Sequence, residues 1–128
     1  MPNWKWIEAE GAFAAHAEQL ALYGGPEGTR DPGALESALA RPINLAAYDE
    51  PDAAALAAAY AFGLARNHPF VDGNKRTAAV VSVGFLILNG LASGASEADL
   101  TLRFQELAAG ELSEEGLADW FRGHITAL

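Results

Sequence analysis

Residues 67–80 read "NHPFVDGNKRTAAV" and gather a histidine, an aromatic, a carboxylate, a glycine, a carboxamide and two adjacent cations, with an apolar run directly behind them. His68 could take a proton from an attacking hydroxyl. Asp72 is the only acid in the stretch. Beside a polyphosphate it suits Mg²⁺, which takes one or two carboxylates together with phosphate oxygens and water. Gly73 lets a ligand come close to the backbone, and Asn74 can fix the loop or donate its amide. Lys75 and Arg76 add full positive charge, and arginine's planar fork matches phosphate oxygens. Each group alone has an ordinary role, in a turn or on a solvated surface. Nine residues holding all of them point to phosphoryl or nucleotidyl transfer: anion cradle, metal ligand and base.

Such groups need elements to hold them. The segment after "DEPD" predicts a helix capped by Asp52 and running to about Arg66. A second apolar helix is expected from about Asn74 to Leu88, with a buried strand as the rival assignment for "AAVVSVGFLIL". The unpaired N–H groups at its start, with the positive end of its dipole, would form the floor of an anion site. Upstream, the spacing of Ile7, Phe13, Ala17, Leu20 and Ala21 predicts a first helix buried on that face and ending at "LYGG". "GGPEGTR" reads as a glycine-rich loop or short flap. Asp31 and Pro32 predict the start of a helix that Pro42 follows. Ser96 and Asp99 read as a capping box, and Ser113 as the cap of a last helix anchored by Trp120, Phe121 and Ile125. "LASGAS" could be a loop or a short strand. Trp4 and Trp6 are expected to anchor the core. The sum is an all-α compact bundle of about six helices, with a functional loop between the two central ones.

Composition sets the bounds. The 128 residues are 51% hydrophobic and include no cysteine, which excludes disulfides, thiolate metal sites and cysteine nucleophiles. One domain over residues 1–128 is the simplest organisation. Neither a signal peptide nor a membrane span is legible, so a cytoplasmic setting is expected. Seventeen acids against eight cations give a net charge of −9, which disfavours direct binding of nucleic acid. Arg66, Lys75 and Arg76 nonetheless share one eleven-residue window. A local cationic pocket on an acidic body suits a small anionic ligand.

"HPFVDGNKR" resembles the signature loop of the Fic/Doc superfamily. Its Fic branch reads H-x-F-x-[DE]-G-N-G-R-x-x-R, and its death-on-curing (Doc) branch reads close to H-x-F-x-D-A-N-K-R. His16, Tyr23, Gly24, Gly25, Asp31, Pro32 and Gly33 match the Doc pattern in spacing, so the resemblance covers essentially the whole chain. Lys75 stands where Fic adenylyltransferases keep a glycine, and Ala79 where they keep a second arginine. Gly73 is Fic-like, and Val80 departs from the polar residue of the Doc pattern. The resemblance therefore implies a Doc-type toxin. Such a protein is a kinase that moves the γ-phosphate of ATP to a Ser/Thr hydroxyl of a translation factor of the elongation factor Tu class.

Carried over by position, His68 is the general base and Asp72 the Mg²⁺ ligand. Gly73, Asn74, Lys75 and Arg76 bind phosphate, with Arg66 as a helper. Gly24, Gly25, Glu27, Gly28 and Thr29 form a target-docking flap, onto which an extended segment could add as a strand. His16 is expected to support the flap or the core. The self-inhibitory pattern [ST]-x-x-x-E-[GN] of Fic enzymes has no match, since Glu111 stands where Ser or Thr is needed before Glu115-Gly116. Inhibition by a separate antitoxin, a segment folding into a groove between helices, is the expectation. The alternatives are a Fic-type nucleotidyl-transferase and a degenerate Fic-fold module kept for binding.

Overall fold

The computed structural model describes residues 3–128. Its elements in chain order are α1 (Ala9–Tyr23), α2 (Pro32–Tyr48), α3 (Ala53–Asn67), α4 (Asn74–Leu88), β1 (Leu91–Ser93), α5 (Glu97–Ala109), α6 (Glu114–Arg122) and β2 (Ile125–Ala127). The fold is all-α apart from the β1–β2 pair, which is antiparallel with Leu91 opposite Ala127 and Ser93 opposite Ile125. No described helix is long and apolar enough to cross a membrane.

Helix α3 is the hub. Alanine favours helix intrinsically, and its small side chain lets neighbours approach from every side. From Ala53 to Ala65 all but Ala55 and Phe62 are buried, as expected of a helix that is apolar all round. α2, α4, α5 and α6 pack around it, and α1 lies on α4. The closest approach is at Gly63, where a Cβ would sit 2.9 Å from the Cα of Ala38 on α2. Four of the caps match the sequence reading. Asp31, Asp52, Ser96 and Ser113 each accept the backbone N–H three residues on, at 2.9–3.1 Å.

Four expectations need correction. Helix α2 does not end before Pro42 but runs through it to Tyr48, with Pro42 buried. Leu35, Ala38 and Pro42 form one packed face, and that burial offsets the backbone bond the proline ring removes. The buried face of α1 is Ala12, Ala15, His16 and Gln19, while Phe13 is 46% exposed and Ala17 and Ala21 face out. Alanine scattered around the helix left two faces nearly equivalent, and contact with the α3–α4 loop decided between them. Asp99 gives its N–H to Ser96, but its carboxylate accepts the Trp120 Nε1–H at 3.2 Å, so the capping box is half made. Ile125 belongs to β2, not to α6. The valine-rich segment is helix α4, held by packing against α1, α3 and α5, and β1 occupies the start of "LASGAS". Trp4 and Trp6 both pack on Phe85 as expected, with ring centroids 5.9 and 5.8 Å away.

Candidate active site

Residues 68–73 join the end of α3 to the start of α4, and a cleft of about 520 Å³ opens above them. That volume lies in the usual range for small-molecule sites. His68, Asp72, Gly73, Lys75 and Arg76 line one side, Ala79 continues the wall along α4, and Thr101, Phe104 and Gln105 of α5 form the opposite wall.

The loop is fixed from below. Asn74, only 8% exposed, grips Phe70 at both ends of its carboxamide: Oδ1 accepts the Phe70 N–H at 3.0 Å, and Nδ2 donates to the Phe70 carbonyl at 2.9 Å. The buried Phe70 ring stacks on His16 at 3.8 Å with planes 7° apart. His16 Nε2 lies 2.8 Å from the Asp72 carbonyl oxygen. A carbonyl only accepts, so Nε2 carries the proton. Asp72 Oδ1 accepts the Gly73 N–H at 2.8 Å, so the 72–73 peptide is held at both its oxygen and its nitrogen. Gly73 has φ +78°, a conformation that glycine adopts without strain.

What faces the cleft is left free. Helix α4 has no side-chain cap, and among the described residues no acceptor meets the N–H groups of Asn74, Lys75 or Arg76. Those donors and the helix dipole make an anion site. Arg41, Arg103 and Arg122 are all paired with carboxylates. Lys75 and Arg76 have no such partner among the described residues, although the chain is strongly acidic. Arg76 instead lies over the Tyr23 ring, 4.8 Å from its centroid. The imidazole of His68 likewise makes no hydrogen bond among the described residues. No cluster of three metal-binding side chains occurs among them. Among the described residues, Asp72 Oδ2 is the single open carboxylate oxygen at the cleft, a donor set that fits a Mg²⁺ ion carried in with a nucleotide's phosphates.

The flap crosses this loop. The Val71 N–H donates to the Gly28 carbonyl at 3.1 Å, the Arg30 N–H donates to the Pro69 carbonyl at 2.8 Å, and Thr29 lies opposite Phe70. Gly25 (φ +119°) comes so near the metal-ligand candidate that a Cβ there would stand 2.6 Å from Asp72 Oδ2.

A family model described as Fic/DOC family matches residues 6–86, which span α1–α3, the loop and most of α4. The chain belongs to the Fic/DOC family. Over 119 residues, 91% of this chain and 92% of the relative, it is 38% identical to "Protein kinase doc" of Escherichia phage P1. It is also 45% identical over 73 residues to "Toxin Doc" of Mycolicibacterium smegmatis, covering 54% of this chain and 55% of the relative.

Against the Fic/DOC reading of the sequence, two residues sit differently. Arg66 does not line the cleft. Its guanidinium lies 5.4 Å from the Phe62 ring centroid, beside Gly110 at the end of α5. Two residues before His68 on a helix is more than half a turn around it, so closeness in sequence did not bring Arg66 to the cleft. Asn74 commits its carboxamide to Phe70 and has its backbone N–H left to offer an anion. Sequence reasoning missed Thr101 and Gln105, whose only signal is helical spacing on a helix of unknown orientation. His16 was expected to support the flap or the core; it packs on the core residue Phe70 and holds the loop at the Asp72 carbonyl, with no hydrogen bond to the flap among the described residues.

Proposed function

We propose that residues 1–128 act as one Doc-type toxin domain, a protein kinase that uses ATP and Mg²⁺. The observation that carries this reading is the juxtaposition, on one cleft, of three N–H groups at the start of α4, Lys75, Arg76 and the imidazole of His68, none of them with a hydrogen-bond or carboxylate partner among the described residues. The phosphates of ATP lie on the α4 N-terminus with Lys75 and Arg76. A Ser/Thr hydroxyl, presented along the flap, attacks the γ-phosphorus. The new Oγ–P bond forms, the bond from phosphorus to ADP breaks, and the hydroxyl proton passes to His68. Asp72 would hold Mg²⁺, which when bound would supply positive charge to the phosphate oxygens. Thr29 lies between the two flap–loop hydrogen bonds, which leaves its own N–H and C=O for an incoming strand.

Ala79 on the cleft wall favours this reading over nucleotidyl transfer, because that position offers no cation to hold a nucleotide in the adenylyl-transfer pose. The relative named a protein kinase supports the same choice. The target is a translation factor of the elongation factor Tu class, and a cognate antitoxin restrains the toxin. Exposed Val80 and Ile87, one face of α4, provide apolar surface for that partner.

Purified protein is incubated with elongation factor Tu and ATP labelled at either the α- or the γ-phosphate. Transfer of γ-label alone is expected, and His68→Ala should lower it about 10²–10⁴-fold while the protein stays folded. Transfer of α-label would establish nucleotidyl transfer instead. Growth arrest by a folded His68→Ala protein would remove the base assignment.

A further inference from the structure

His68 is the only non-glycine residue in the described chain with a positive φ, at φ 49° and ψ 57°. A histidine in left-handed backbone needs its surroundings to keep it there. The position is also the C-terminus of α3, where backbone N–H groups commonly fold back to close the last carbonyls. Here they do not: among the described residues, no backbone N–H following α3 folds back onto its last carbonyls. Arg30, the last residue of the flap, takes their place. Its Nε–H donates to the His68 carbonyl at 2.7 Å, its Nη2–H to the Asn67 carbonyl at 2.8 Å, and its own N–H to the Pro69 carbonyl at 2.8 Å. One residue thus grips three successive carbonyls centred on the candidate base. Its charge also complements the negative end of the α3 dipole, and no carboxylate competes for it among the described residues.

We infer that Arg30 is a positioning residue: it holds His68 in its left-handed conformation, aims the imidazole into the cleft, and couples that aim to the flap on which the target docks. This deepens the kinase reading above and rests on it for its catalytic consequence. Arg30 touches neither the α4 N-terminus nor Lys75 and Arg76, so nucleotide binding should be indifferent to it. The guanidinium fork suits the clamp better than an ammonium, because its N–H groups are held in a fixed geometry that meets both carbonyls together.

The test uses the full chain and the variants Arg30→Ala and Arg30→Lys. It compares γ-phosphate transfer to elongation factor Tu with ATP affinity by calorimetry, and reads the backbone and ring NMR signals of His68. Arg30→Ala should lower kcat about 10- to 100-fold with the Kd for ATP within about twofold, and should shift the His68 signals. Arg30→Lys should recover part of both effects. Unchanged His68 signals in Arg30→Ala would overturn the inference, as would equal losses in kcat and ATP affinity. If wild-type protein transfers no phosphate, the kinase reading fails, and a shift of the His68 signals in Arg30→Ala still upholds the clamp.

Discussion

Replacing His16 tests whether the loop is held from beneath. The ring does two things: it stacks on Phe70 at 3.8 Å, and its Nε2–H donates to the Asp72 carbonyl at 2.8 Å. His16→Phe keeps a flat ring for the stack and removes only the donor. The Asp72 carbonyl accepts nothing else among the described residues, so leaving it bare in a partly buried site costs about 1–1.5 kcal/mol. Since about 1.4 kcal/mol is a factor of ten, a cost falling wholly on the aligned loop lowers its population by roughly tenfold. His16→Ala also loses the stacked ring and leaves a void, for a total of about 3–4 kcal/mol. Urea denaturation should therefore rank wild type above Phe above Ala. Amide hydrogen exchange at Gly73 should accelerate about tenfold in His16→Phe, with a matching loss of γ-phosphate transfer. Wild-type exchange and wild-type transfer in a folded His16→Phe protein would refute the role.

Other outcomes follow from single contacts. Gly25→Ala and Gly24→Ala both place a side chain in a positive-φ position, but only the first meets a neighbour, Asp72 Oδ2. Mg²⁺-dependent transfer should fall much further for Gly25→Ala, and equal losses would refute the flap's closeness to Asp72, the metal-ligand candidate. Arg66→Ala should leave ATP affinity within about twofold, while Lys75→Ala should weaken it by about 1 kcal/mol or more, measured by calorimetry. Burial pushes the Tyr60 hydroxyl up from 10.0 to about 12, with the Ile7 N–H bonded to it opposing and Glu8 adding to the rise. A pKa raised on folding contributes stability that is full below pH 10 and is lost as pH climbs toward 12, on the order of 2–3 kcal/mol. Denaturation of wild type and Tyr60→Phe across that window should show the steep loss in wild type alone.

The gathering of these groups at one cleft was legible because they are contiguous. His68 to Arg76 cannot be far apart, and a helix that starts at Asn74 must present open N–H groups there. The flap was legible as a glycine-rich segment, yet its attachment to residues 69–71 was not, since nothing local in "GGPEGTR" says what its backbone will pair with. His16, Arg30, Thr101 and Gln105 reach the site from tens of residues away. Their part depends on how α1, the flap and α5 dock, and an alanine-rich α1 carries too little pattern to reveal which face goes inward. Arg66 shows the converse: adjacency in sequence placed it in the wrong group, because the helix turns its side chain toward α5.

By itself, the sequence determined where helices begin, through Asp31, Asp52, Ser96 and Ser113, and which nine residues could carry phosphate chemistry. Caps, propensities and turns act over three or four residues, so they survive reading one position at a time. Tertiary structure alone decided that α2 continues through Pro42, that His16 lies inside while Phe13 does not, and that Arg30 closes the end of α3. Those outcomes depend on burial and on hydrogen bonds between segments far apart in the chain, and no short stretch contains both partners.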